Sequence, residues 1–197
     1  MKKGLYILFF GFCSSAGAVV STGVDEAARL PYWELRDTGI SLRLVQRLPD
    51  QTRGYFLARG FEMKHVERIA LSCVFQTVFK NISHKTKPDP IVYDVRDWVV
   101  IYKGEKRSLK IREDWSTEWQ KEKVSQSARL AFEWSLMPTQ QEYQPGDYNW
   151  GMSAFNLAPG SVFDLEVVWK QYGKINRSLI RGITCSPDIH PEPGDIP

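Results

Sequence analysis

From residue 40 to residue 185, apolar and polar side chains mostly alternate in short runs separated by turn-forming residues. Ile40, Leu42, Leu44 and Gln46 fall on one side of the first run, and Ser41, Arg43, Val45 and Arg47 on the other. Pro49-Asp50 ends it. This pattern predicts a half-buried strand, and 55–61 is a second strand candidate. Over 62–70 the period changes. Met63, Val66 and Ile69 recur at three-residue spacing, which predicts a helix of about two turns with those three in the core. Period two returns over 71–81. Leu71, Cys73, Phe75, Thr77 and Phe79 share one face while Val74 and Val78 make the other partly apolar, as in a strand inside a sheet.

Beyond a loop at 83–90, residues 91–102 and 107–111 read as strands around a Lys103-Gly104-Glu105 turn. Over 112–123 the acids Glu113, Asp114 and Glu118 precede Lys121 and Lys123, the order a helix dipole favours. Leu130, Phe132, Trp134 and Leu136 alternate over 129–136 and predict another strand. Gln144-Pro145-Gly146-Asp147 and Ala158-Pro159-Gly160-Ser161 are twin type II turn sequences, each feeding a strand, at 148–157 and 162–172. A hairpin at 172–176 leads into the last strand, 177–185. Eight or nine short strands without long intervening helices predict a mainly β fold. The expected form is a single antiparallel β-sandwich of immunoglobulin-like architecture with one or two short helices, over 37–185. Residues 19–36 show no strong period and read as an N-terminal arm; the Pro-rich tail 186–197 is expected to hang free.

Composition fits a folded domain: hydrophobic residues make up 43% and charged residues 25% of 197. The N-terminus changes the meaning of the charge. Lys2 and Lys3, the apolar stretch from Leu5 to Phe12, and Ala16-Gly17-Ala18 have the form of a cleavable secretory signal over 1–18. The apolar stretch is much shorter than the roughly 20 residues of a spanning helix, so no membrane span is expected after cleavage. Lipidation at Cys13 fits less well, because bulky Phe12 precedes it. Removing Lys2 and Lys3 lowers the formal charge from +3 to +1, too balanced for a nucleic-acid partner. Export to a periplasm or beyond leaves Cys73 and Cys185 as one pair in an oxidising space, expected to form a disulfide.

No H-E-x-x-H, G-x-S-x-G, G-x-G-x-x-G, P-loop or C-x-x-C motif is present. A small secreted hydrolase would need His65 or His84 as base, since His190 lies in the tail, or a carboxylate pair from Glu113, Asp114, Glu118 and Glu133. A non-catalytic binding module of the cell envelope, with a protein partner and no cofactor, fits better. Its candidate surface is Trp115 and Trp119, four apart on the charged helix with Asp114 and Glu118 beside them, and Tyr148 and Trp150 after a Pro-Gly turn. The competing reading places Trp115 and Trp119 in the core, Tyr148 at a corner and Trp150 inside. Periplasmic copper handling is the alternative: Met63 and His65, helped by Met152, His84 or a reduced Cys73, are soft ligands suited to Cu(I). Trp134 and Trp169 are expected in the core, and Arg53, Arg59, Arg68 and Arg181 read as solvated or singly paired.

Overall fold

A computed structural model describes residues 17–83 and 89–189. Nearly all of the expected leader lies outside these residues, as do Cys13, His84, His190 and the tail from 190 onward. Among the described residues the chain is mainly β, with two antiparallel sheets and four α-helices. Five strands make the first sheet: β1 (Val19–Val24), β2 (Pro31–Asp37), β3 (Ile40–Gln46), β4 (Val74–Asn81) and β9 (Tyr148–Ala154), in the order β1-β2-β3-β4-β9. The second holds β5 (Ile91–Asp94), β6 (Val99–Tyr102), β7 (Glu105–Ser108), β8 (Gln140–Tyr143), β10 (Val162–Gln171) and β11 (Lys174–Thr184). There β10 pairs with β11 along one edge, and with β6 and then β5 along the other. The helices are α1 (Pro49–Leu57), α2 (Met63–Ala70), α3 (Arg112–Lys121) and α4 (Gln126–Ser135).

Both sheets line one hydrophobic core. Leu35, Leu42 and Phe79 enter it from the first sheet, and Tyr93, Leu165 and Trp169 from the second. Cys73, just before β4, is bonded to Cys185, just after β11, so the disulfide ties the two sheets together at their ends. A second core lies on the opposite face of the first sheet. Here Phe56, Val66, Trp115, Trp119 and Phe132 from the helical region pack over Val74, Met152 and Ala154.

Several elements differ from the sequence expectation, each for a local reason. The arm at 19–36 is two strands: Trp33 and Leu35 alternate into the core from β2, while β1 is exposed on both faces at the sheet edge and so carries no burial period. The strand expected at 55–61 is the end of α1. Pro49, read as a stop, occupies the first turn of a helix, where its missing N–H costs nothing. The strand expected at 129–136 is α4, capped by Ser125, whose hydroxyl accepts from the Ala128 N–H. Burial at Ala128, Phe132 and Ser135 follows helical spacing, which turns Trp134 outward to 78% exposure and removes it from the core. In α2 the buried face is His65, Val66, Ile69 and Ala70, leaving Met63 outside. The tail is fastened at least as far as Asp188, which pairs with Arg53. The twin Pro-Gly turns form as expected, with Gly146 and Gly160 at φ 94° and 75°. Trp169 is in the core, donating its indole N–H to the Thr38 carbonyl.

At Gly151 the chain passes against the end of α4. A Cβ there would lie 2.6 Å from the Met137 nitrogen and 2.7 Å from the Leu136 carbonyl carbon. Gly151→Ala is therefore expected to destabilise by about 1–3 kcal/mol in denaturant unfolding. Gly54→Ala, in open space within α1, should instead stabilise by about 0.5–1 kcal/mol. Paired Cys73→Ser and Cys185→Ser substitutions are expected to cost about 2–5 kcal/mol in the same measurement.

Candidate binding surface

The face of the first sheet turned away from the shared core is only half covered. On β4 it carries Val74, Gln76, Val78 and Lys80; the β9 residues opposite them are Ala154, Met152, Trp150 and Tyr148. The helical core covers the Val74, Ala154 and Met152 end. At the other end Trp150 is 64% exposed and Tyr148 60% exposed. An indole left in water beside a valine is a candidate anchor for a partner, since burying it on contact gains a large apolar area at little entropic cost.

The bare half continues into a groove of about 470 Å³ with Val45, Val78, Leu30 and Ala28 among its lining. That volume is within the range of ligand-sized clefts, roughly 300–1,000 Å³. One rim is built from charge. Arg43 donates to Asp25 at 2.9 Å and to Glu34 at 3.0 Å, and its guanidinium lies 3.6 Å above the Tyr32 ring. Hydrogen bonds from the Ala28 N–H and then from Arg43 hold the Asp25 carboxyl below its ordinary value. Burial pushes Glu34 upward, but donation from Ser41, Arg36 and Arg43 outweighs it and the net shift is downward.

The opposite end holds Arg47 and Gln51. Arg47 is half-buried; it donates weakly to the Gln51 carbonyl at 3.3 Å, while its Nε has no partner. Its guanidinium lies 5.0 Å from the centre of the Tyr55 ring, and that of Arg59 lies 3.3 Å from the same centre. Burial lowers the Arg47 pKa below the arginine norm. The Arg59 charge acts in the same direction, against an opposing contribution from Tyr55.

The other sequence-derived sites are placed differently. Trp115 and Trp119 form no exposed platform: both are fully buried, stacked with centroids 5.1 Å apart, with Phe132 edge-on to each. Lys110 covers Trp115 from outside at 3.5 Å. Asp114 accepts from the Ile111 N–H at the start of α3. Glu118 accepts from Lys110 and Arg68; burial raises its pKa, but those hydrogen bonds and charges outweigh it and hold the carboxyl below the ordinary range. The two indoles therefore pack inside the helical region, while Asp114 stays exposed and Glu118 half-buried.

Of the donors considered for Cu(I), His84 lies outside the described residues. Met63 is 54% exposed, whereas His65 and Met152 are buried, and Cys73 is consumed in the disulfide. Among the described residues no group of three His, Cys, Asp or Glu is placed to hold a metal ion. His65 lies edge-on to Trp119, with neither ring nitrogen hydrogen-bonded and Glu122 3.8 Å from Nε2. It borders an open cavity of about 300 Å³ that Lys64, Arg68 and Glu122 also line. Arg53, read as solvated or singly paired, instead receives Asp50, Glu67 and Asp188 at 2.7–2.9 Å, which raises its pKa.

Sequence reasoning missed Arg47 because it shares the alternating side of Arg43 and Val45 and looks like one more solvated cation. The only available signal was that no acid lies within three residues of it except Asp50, which is used by Arg53. Comparison with models of known families, with characterised proteins and with solved structures finds no match. Among the described residues no helix is long and apolar enough to cross a membrane.

The carboxylates of this face set a direction for acid sensitivity. Asp25 and Glu34 are held below their ordinary values in the folded chain, so as pH falls the unfolded chain takes up protons first. Their contribution to stability is complete above the unfolded carboxylate range near pH 4, and is lost as pH drops through the lower folded values. Urea unfolding midpoints should fall below about pH 4, and Asp25→Asn with Glu34→Gln should flatten that fall; an unchanged slope would refute the assignment.

Proposed function

We propose that the chain is an exported, non-catalytic binding module of the cell envelope, and that a protein partner docks on the bare half of the first sheet's outer face. One observation carries this reading. Trp150 is exposed directly opposite Val78, and Val78 is part of the groove lining, so an aromatic anchor and an apolar cleft form one surface. Interfaces concentrate binding energy in a few aromatic and arginine anchors surrounded by residues that exclude water, and this face offers both residue types. Export is supported by the Lys2-Lys3, apolar and Ala16-Gly17-Ala18 sequence, and by a Cys73–Cys185 bond that suits an oxidising compartment. We also read the two sheets as the layers of a β-sandwich, of immunoglobulin-like architecture. A core lined by both sheets and a disulfide between their ends support that reading.

The test is photo-crosslinking in the native envelope, with the reactive group placed at Tyr148, compared among wild type, Trp150→Ala and Val78→Lys. A discrete crosslinked protein should be found with wild type and lost in both variants while their thermal unfolding midpoints stay within a few degrees. Trp134→Ala, which removes an exposed tryptophan outside the groove lining, should leave the crosslink intact. Equal crosslinking in all four chains would overturn the docking face.

A further inference from the structure

The bare half of the sheet ends against two arginines that no carboxylate among the described residues neutralises. Among the described residues, Arg36, Arg43, Arg53, Arg68, Arg96 and Arg177 each have a carboxylate within 4.0 Å; Arg47 and Arg59 are among the arginines that have none, and of those Arg47 lines the groove. Arg53 shows how completely this chain can satisfy a sheltered guanidinium, using three acids. A half-buried cation with a bare Nε is costly, and such a group calls for a specific account. Arg47 and Arg59 lie by the same Tyr55 ring, and Arg59 is further held by donating to the Tyr55 carbonyl at 2.9 Å. Ring stacking and that bond fix the side chains without neutralising them, which leaves concentrated positive charge at the groove end. Gln51 adds a donor: its Oε1 accepts from the Leu48 N–H, leaving the side-chain NH₂ free to donate.

We propose that Arg47, supported by Arg59, binds an Asp or Glu carboxylate of an extended segment of the partner, whose neighbouring apolar side chains lie along Val45 and Val78 toward Trp150. The inference rests on the docking-face reading above and names what that face selects. A planar carboxylate matches the guanidinium fork, and placing it there would supply the charge the fold withholds. A peptide suits the site better than a free small anion because the groove is open and continuous with exposed Trp150, so an occupant that reaches both ends must be extended.

The experiment uses the mature chain and a defined probe set: N-acetylated, C-amidated Val/Thr peptides with one Trp and one Glu at varied spacing, each with a Gln twin. Affinities are read by fluorescence anisotropy at fixed ionic strength. At least one Glu peptide should bind wild type about tenfold or more tightly than its Gln twin, as expected for a charge-assisted hydrogen bond. Arg47→Gln should abolish that difference, Arg47→Lys should reduce it, and Trp150→Ala should weaken both twins alike. The lysine variant also carries the test if Arg47→Gln unfolds. Twins of equal affinity on wild type, or retention of no peptide, would overturn the carboxylate inference. So would displacement by inorganic phosphate at concentrations where acetate has no effect. Loss of binding with Trp150→Ala but not with Arg47→Gln would leave the docking face standing and remove the carboxylate. Binding indifferent to both substitutions would remove the face itself.

Discussion

Strand β4 carries apolar side chains on both faces, and the rest of the molecule covers one face fully and the other in part. Phe75 and Phe79 point into the core shared by the two sheets, while Val74 and Val78 point the other way. A strand of this kind cannot sit at an exposed surface without losing the burial that stabilises it, roughly 1.5–3 kcal/mol for each large side chain. The second sheet covers one face entirely. The helical region covers the other only in part, at Val74 and its neighbours on β9. Partial cover is what creates a groove with an apolar floor.

The helices stay on the sheet because of interactions between distant parts of the chain. Phe56 of α1, Trp119 of α3 and Phe132 of α4 meet in one aromatic cluster, with Phe61 touching all three. Arg53 adds a polar fastening: from α1 it reaches Glu67 on α2 and Asp188 beyond the last strand. Hydrogen bonds to charged groups contribute about 1.5–3 kcal/mol each where they are sheltered, less where water competes. Since the disulfide anchors Cys185 three residues before Asp188, the covalent and ionic ties act on the same stretch and hold α1 at a fixed position against the sheet. Arg47 lies just before α1, so the groove's cationic end inherits that rigidity.

Much of the sheet framework was legible in the sequence. The alternation at 40–46, the twin Pro-Gly turns and the cysteine pair each rest on a local rule that the tertiary structure obeys. What failed was the choice between period two and helical period in short runs. Leu130, Phe132, Trp134 and Leu136 satisfy a strand pattern, yet Ala128, Phe132 and Ser135 satisfy a helix pattern as well, and the Ser125 cap decides between them. Strand β1 was illegible for the opposite reason: an edge strand exposed on both faces has no alternation to read. At the candidate surface, Tyr148 and Trp150 were named from a turn, but the sequence could not show that helices stop short of them. Trp115 and Trp119 looked equivalent to them in composition. Only the packing of α3 against α4 separates a buried pair from an exposed one.

The exposed end of β9 also bears on how a partner would be held. An open sheet edge recruits other chains through its free backbone groups, and β9 is the last strand of its sheet. Here part of that edge is already occupied: the Met137 N–H donates to the Met152 carbonyl at 3.0 Å, and Leu136 bridges Met152 in parallel. Gly151 is what permits this approach, because any side chain would strike the Leu136–Met137 backbone. Backbone pairing along β9 is therefore interrupted at the point where an added strand would need it. On the proposed docking face, recognition at this end would fall instead to side chains on the face, an indole at one end and a guanidinium at the other, whose chemistry discriminates between partners in a way that backbone pairing alone does not.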